Sequence, residues 1–328
     1  MSDSLLQIGL DIGNGSIKLM SKEQRLSIPS VISTEINASG GRVKLEGVEY
    51  LLGEAALKND RSTRQFTSDS PAIKVKDIKR LYFGTLAHYP NLSTTKSIQL
   101  VLSSNAFRKY GEEITKVLSG TQIVELNGKH HNISTEVLRV VPEGYGVIAS
   151  KQPVETKRGK ETVELDITGH RIFLIDLGNG TAIKSVYESG CREPLVFTPE
   201  RYGVSKLFNA FQESTADVNY GTKLDIGEVR LIIEKGQLNY KGLDFVSIYK
   251  QCLTSWWEKG LKPIVDEAVA YQSKGYTVVC TGGGILLPAM KPSLAKKGFH
   301  WVKDPVFANA QGLLMLATTK KELVEVAA

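Results

Sequence analysis

Two stretches decide the fold: Leu10–Met20, LDIGNGSIKLM, and Ile175–Val186, IDLGNGTAIKSV. Both contain Asp-x-Gly-Asn-Gly-Ser/Thr. Asp11 and Asp176 stand 165 residues apart, half of a 328-residue chain, so the repeat reads as duplication of one half and not as a solenoid. The residues leading into each copy, LLQIGLDIG and HRIFLIDLG, are alternately or continuously apolar and predict buried strands. Asn-Gly between strands is the strongest short hairpin signal, because a type I′ turn needs positive φ at both central positions. Each copy therefore predicts strand, turn, strand. A third Asn-Gly, Asn127-Gly128 in VELNGKHHN, lacks the leading Asp-x-Gly and the following hydroxyl, and predicts a plain hairpin.

The repeated turn has the chemistry of a phosphate loop. A phosphate chain needs backbone N–H donors that no side chain screens, and Gly13, Gly15, Gly178 and Gly180 meet that need. Ser16 and Thr181 add hydroxyl donors. Asp11 and Asp176 end buried strands, where an unpaired carboxylate is costly. A hydrated Mg²⁺ compensates both, since that ion favours carboxylate and phosphate oxygens over an all-protein cage. Lys18, on the outgoing strand, is placed to reach a β- or γ-phosphate as a point charge. One copy alone reads as easily as a hairpin whose Asp caps its own turn; two copies half a chain apart favour phosphate. A third glycine cluster, Gly282-Gly283-Gly284 in YTVVCTGGGILLPAM, follows a β-branched strand and lets a base and ribose lie against backbone.

Composition sets bounds on this reading. With 41% hydrophobic and 23% charged residues the chain can bury a full core, and its length suggests two lobes. It has no apolar run of bilayer length, and MSDSLLQIGLDIG has no secretory signal, so a cytoplasmic location without membrane insertion is expected. Cys191, Cys252 and Cys280 are widely spaced, which argues against a disulfide or zinc framework and for a reducing compartment. His130 and His131 have no second ligand pair nearby and read as an ordinary loop. The net charge of +6 is scattered, with Lys291–Asp304 and Thr156–Glu161 as solvated loops, so direct DNA binding is not expected.

Helical periodicity fills the intervals. Ile78, Leu81, Tyr82 and Leu86 share a face, as do Phe107, Ile114, Val117 and Leu118, and Val204, Leu207, Phe208 and Phe211. Asp225 reads as an N-cap and Gly236 as a stop. From Asp244 to Gly275 the pattern is helix, broken or restarted near Pro263, with Trp256 and Trp257 as packing residues. A last helix carries Ala310, Leu313, Leu314 and Ala317. GRVKLEGVEYLLGEAA holds a glycine-centred hairpin.

In order, the phosphate turn, VVPEGYG, the second phosphate turn, TGGG and ANAQGLL run through almost the whole chain, and together they resemble the actin-like ATPase superfamily of actins, sugar kinases and DnaK-type chaperones. Within it, the length and the Pro-Glu of VVPEGYG resemble the ParM/StbA plasmid-segregation actins. The resemblance implies an α/β, actin-like (ribonuclease H-like) fold: two similar lobes, each a mixed sheet with flanking helices, with nucleotide in the cleft. It implies ATP or GTP and Mg²⁺ as ligands, with Asp11 and Asp176 holding the metal through water. Gly13, Asn14, Gly15, Ser16 and Lys18 match the first phosphate loop, and Gly178, Asn179, Gly180 and Thr181 the second. Glu143 falls where the attacking water is oriented, although a surface carboxylate after a proline is the plainer reading. Gly282, Gly283 and Gly284 match the adenosine motif, with Lys206 near the ribose. Ala308–Gly312 matches the second connecting segment, where helices of the two lobes cross as a hinge. One departure is Ile183, where many members carry an acidic residue; slow hydrolysis or a different metal grip is the expected consequence.

The expected layout is lobe I over residues 1–168 with a small subdomain near 25–80, lobe II over 169–304 with an insertion near 200–245, and 305–328 returning to lobe I. The expected function is a nucleotide-dependent filament in which subunits of this chain stack head to tail without ring closure. Such a filament segregates plasmid DNA through a small DNA-binding adaptor on a centromere-like site. A small-molecule kinase is the alternative, but it needs a catalytic Asp and a substrate pocket, and Glu143 suits hydrolysis better. A chaperone-type ATPase is disfavoured because no peptide-binding module follows.

Overall fold

Seven strands carry the first part of the chain: β1 (Leu6–Ile12), β2 (Ser16–Met20), β3 (Arg25–Pro29), β4 (Val31–Ser33), β5 (Arg42–Leu45), β6 (Val48–Leu52) and β7 (Arg64–Phe66), with α1 (Glu54–Leu57) between the last two. Then come α2 (Pro71–Lys76), α3 (Ile78–Leu86), β8 (Thr95–Ser104), α4 (Phe107–Leu118), β9 (Gly120–Leu126), β10 (Lys129–Pro142) and α5 (Tyr145–Ala149). The ten strands form one mixed sheet in the order β3-β2-β1-β8-β10-β9-β5-β6-β4-β7. In this computed structural model, residues 5–60, 62–66, 70–158, 161–217, 221 and 223–319 are described.

A second sheet follows from β11 (Val154–Arg158), β12 (Glu161–Leu165), β13 (Ile172–Leu177), β14 (Ala182–Tyr187) and β15 (Val196–Glu200). Helices α6 (Ser205–Ser214), α7 (Ile226–Glu234), α8 (Val246–Trp256) and α9 (Lys262–Ser273) come next, with the small ribbon β16 (Asn239–Tyr240) and β17 (Leu243–Asp244) before α8. The sheet is completed by β18 (Thr277–Thr281), α10 (Met290–Ala295) and β19 (His300–Val302), giving the order β12-β11-β19-β18-β13-β14-β15. The chain ends, among the described residues, in α11 (Ala308–Thr318). Two units result: residues 1–151 with 307–328, and residues 152–306.

Each unit contains the same five-strand core. In the first, β3-β2-β1 are antiparallel and β1-β8-β10 parallel. In the second, β15-β14-β13 are antiparallel and β13-β18-β19 parallel. The duplication read from the two turns is therefore a duplication of topology. Parallel strands covered on both faces should read as continuous apolar runs, and β1, β13 and β18 are buried almost throughout. Tyr50, Tyr82 and Phe83 anchor the first core; Phe173, Phe211, Phe245 and Trp301 anchor the second.

The predicted helices are present, with instructive ends. Asp225 caps α7 in a full capping box with Glu228, and Gly236 follows at φ +65°. The break expected near Pro263 is a π turn, Trp257–Leu261, in which the Lys262 amide donates to the Trp257 carbonyl five residues back. The wider turn keeps the helix running up to a proline that has no N–H to donate. Gly260 lies in this turn because the Tyr202 ring occupies the space a Cβ would need, only 1.6 Å from Cδ1.

One expectation is corrected. Asn127 and Gly128 have φ of +50° and +80°, and Glu46 and Gly47 have +52° and +79°, so these two are tight hairpins of the primed type. The repeated turns are different: none of Gly13, Asn14, Gly15, Gly178, Asn179 and Gly180 has positive φ. The pairs Ile12–Ile17 and Leu177–Ala182 close each hairpin over four residues, so Asn-Gly sits inside a longer loop whose conformation does not demand a primed turn.

Candidate functional site

In the first unit, three parallel strands end side by side. Asp11 closes β1, Ser103 and Ser104 close β8, and Glu143 follows Pro142 at the end of β10, its amide donating to the Ser104 carbonyl at 3.3 Å. The carboxyl ends of parallel strands are where open α/β sheets bind ligands. Asp11 is 8% exposed and accepts a hydrogen bond from Ser103 Oγ at 3.2 Å. Ser103 Oγ in turn accepts from Asn309 Nδ2 at 2.9 Å, and Asn309 Oδ1 accepts from the Gly146 amide at 3.0 Å. Asn309 reaches in because α11 packs tightly against β1 and α5. A Cβ on Gly9 would meet the Ala310 carbonyl at 2.3 Å, and one on Gly312 the Gly146 carbonyl at 1.7 Å.

The strand register places Lys18 opposite Asp11, and its ammonium lies 3.9 Å from the carboxylate. Glu143 is partly buried, and its carboxylate makes no hydrogen bond to the described residues. Burial pushes its pKa up; the charge of Lys74 opposes this, Asp11 reinforces it and Lys18 opposes it. A proton-accepting group held above the usual carboxylate range is what general-base chemistry requires. Asp11, Lys18 and Glu143 are thus brought together by three strand ends.

The loop between β1 and β2 is aimed by its carbonyls. Ser30 Oγ donates to the Gly13 carbonyl at 2.6 Å, and the Ser30 amide donates to the Gly15 carbonyl at 3.3 Å. Ser30 is fully buried. Gly13 must lack a side chain because a Cβ would approach the Ser16 carbonyl to 2.8 Å.

In the second unit the same loop has a different support. The Gly203, Val204 and Ser205 amides donate to the carbonyls of Gly180, Gly178 and Asn179 at 3.2, 3.1 and 2.8 Å. These are the otherwise unpaired N–H groups at the start of α6. With the carbonyls held there, the amides of Asn179, Gly180 and Thr181 donate to no group among the described residues. Trp256 Nε1 donates to the Gly203 carbonyl at 3.2 Å. Asp176, at the end of β13, is only partly buried, and Gly282 lies against it: a Cβ there would meet Asp176 Oδ1 at 2.4 Å, at a φ of +84°. Gly283 faces open space and Gly284 packs on Leu177 and Val204. Lys206 is exposed on the first turn of α6, next to the loop. Ile183 is buried opposite Asp176, and Lys184 pairs with Glu267.

A twice-built five-strand core, with an Asp-led glycine loop at the same place in each copy, is a recognisable architecture. Residues 9–146 match the model of the actin-like proteins' N-terminal domain. The chain has the actin-like fold. Its fold is similar to that of a ParM from Clostridium botulinum solved as a 15-stranded filament, at 21% identity over 96% of this chain and 99% of that one, with a TM-score of 0.70. It is similar also to an archaeal actin homolog in complex with ADP, at 15% identity, 95% and 98% coverage and a TM-score of 0.73. Bacillus thuringiensis ParM with AMPPNP gives 15% identity, 95% and 98% coverage and 0.67. Among curated proteins none matches the sequence.

Ser30, Lys74, Ser103 and Gly203 escaped the sequence reading, Trp256 was expected as a packing residue without its hydrogen bond, and Asn309 lay within the connecting segment without a role of its own. Their only advance signal was polar or glycine character beside apolar segments. No helix among the described residues is long and apolar enough to cross a membrane.

Proposed function

We propose that this actin-like chain is a Mg²⁺-dependent ATPase, with GTP as the other candidate nucleotide, that polymerises on binding nucleotide. The observation that carries the reading is the second loop, whose carbonyls are held by the start of α6 while the amides of Asn179, Gly180 and Thr181 donate to no group among the described residues; in the first loop Ser30 holds the carbonyls of Gly13 and Gly15. The proposal is that both loops hold the phosphates of one nucleotide, with Gly13, Asn14, Gly15 and Ser16 in one and Gly178, Asn179, Gly180 and Thr181 in the other. Gly282, Gly283 and Gly284 take the nucleoside, with Lys206 at the ribose.

The donor set fits the metal. Asp11, fixed by Ser103, and Asp176, backed by Gly282, each bring one carboxylate at a strand end, and a hydrated Mg²⁺ takes one or two carboxylates together with phosphate oxygens. Bound there, the ion neutralises charge on the phosphate chain. Lys18 adds a point charge. Glu143 orients the attacking water and accepts its proton, a role typically worth about 10²–10⁴ in rate.

The related filament of Clostridium botulinum ParM supports self-association into an open polymer. We assign to that polymer the segregation of plasmid DNA in the cytoplasm, through a small adaptor bound to a centromere-like site. Sedimentation and light scattering with Mg²⁺ and ATP, GTP or a non-hydrolysable analogue test the reading. Assembly that reverses after hydrolysis is expected. Turnover that depends on an added sugar, with nothing sedimenting, points instead to a kinase.

A further inference from the structure

We propose that Lys74 is a second lysine for the terminal phosphoryl group of the bound triphosphate, acting from the side opposite the glycine loop; the proposal rests on the phosphate-loop reading above. Lys74, on α2, is 8% exposed, yet its ammonium forms no hydrogen bond or ion pair among the described residues. A buried ammonium without an anion is costly, so one is kept when something supplies the anion.

The surroundings say what that anion is. Lys74 shares a narrow cavity with Ile12, Ser103 and Asn105, at the strand ends where Asp11 and Glu143 stand. Glu143 feels the charge of Lys74 more strongly than that of Lys18. If Glu143 were simply the counter-ion, the pair would be expected in contact; no such ion pair is formed among the described residues. What remains is a polyanion arriving at the strand ends, with Lys18 on one flank and Lys74 on the other. A phosphoryl oxygen accepts from an ammonium without special geometry, which suits a lysine.

The test compares Lys74→Met, close in volume and uncharged, with the intact chain, below the concentration at which either assembles. Affinity for ADP and for a non-hydrolysable ATP analogue is measured by calorimetry, and folding by thermal melting. The expected result is ADP affinity unchanged and analogue affinity about 10- to 100-fold weaker, the range of one charge-assisted hydrogen bond. Lys74→Arg should recover part of the loss. Unchanged affinity for both nucleotides, or equal loss of both, overturns the assignment. An intact chain that binds neither nucleotide overturns the phosphate-loop reading itself, and this proposal with it. Should Lys74→Met fail to fold, acetylation of the intact protein decides: the analogue should protect Lys74 while ADP does not, and equal labelling under both rejects the role.

Discussion

The two glycine loops are nearly identical in sequence and are held in place by unrelated means. The first is pinned by one residue, Ser30, whose hydroxyl and amide take the carbonyls of Gly13 and Gly15. The second is pinned by three successive amides at the start of α6, themselves braced by Trp256. The residues opposite the aspartates differ as well: Lys18 faces Asp11, whereas buried Ile183 faces Asp176. Glu143, whose carboxylate makes no hydrogen bond to the described residues, lies in the first unit within the influence of the Lys74 and Lys18 charges. A duplicated motif has thus kept its loop in both copies and its charged apparatus in one. On the function proposed above, the first unit would do the chemistry and the second would hold the ligand.

The largest expected effect comes from removing that asymmetry. Glu143→Gln should slow phosphate release by about 10²–10⁴ while leaving nucleotide affinity within a few-fold. The same change should raise the melting temperature of the nucleotide-free protein at neutral pH. Burial raises the pKa of Glu143, so the folded state binds its proton more tightly than the unfolded state does. Its contribution to stability is therefore lost as pH rises from the unfolded pKa through the folded one, and a neutral amide escapes that loss. Equal loss of binding and turnover would assign Glu143 to the ligand and dissolve the division between the units.

Next in size is Gly203→Ala. Its Cβ would stand 2.4 Å from the Asn179 carbonyl and 2.5 Å from Gly180 C and Thr181 N, so backbone must move. Overpacking of this kind costs about 1–3 kcal/mol, and if the cost falls on the loop, nucleotide affinity drops by up to about 100-fold. Ser30→Ala should do less to the first loop, about 5- to 10-fold in affinity, since one hydrogen bond of about 1 kcal/mol goes while the Ser30 amide stays. An affinity loss for Ser30→Ala larger than for Gly203→Ala, both measured by ADP titration, reverses the proposed ranking of the supports.

How much of this was legible in advance follows from what is local. The strands into Asp11 and Asp176, the helices and the N-cap at Asp225 depend on neighbours a few residues away, and the pattern showed them. The loop conformation was misread because Asn-Gly was taken as the whole connection, when the pairing of Ile12 with Ile17 leaves four residues to turn. Counting inward from the last apolar pair on each side would have given the longer loop. Lys74, Ser103 and Asn309 could not be read in that way. Asn309 acts on Asp11 from almost the far end of the chain, through a serine on a third strand. Nothing local marks an Asn on an apolar helix as a partner of that carboxylate.

The smallest effect is the most discriminating for the second loop. Trp256→Phe keeps an aromatic ring in the core and deletes the N–H that meets the Gly203 carbonyl together with part of the buried indole volume. That carbonyl keeps the Lys206 amide as a donor and loses the indole one, a loss of about 1 kcal/mol in stability for the hydrogen bond. If the brace is part of how the loop is aimed, affinity for ADP falls about 2- to 5-fold, because Gly203 carries the strain directly to Gly180. If affinity is unchanged while the melting temperature drops, the helix amides alone hold the carbonyls, and Trp256 is a core residue. The π turn gives the first outcome a physical basis. Gly260 accepts the Tyr202 ring where a Cβ would clash, so the segment Tyr202-Gly203 is fixed at both residues by the same turn of helix. A motion of that turn therefore reaches Gly203, whose amide holds the Gly180 carbonyl of the second loop.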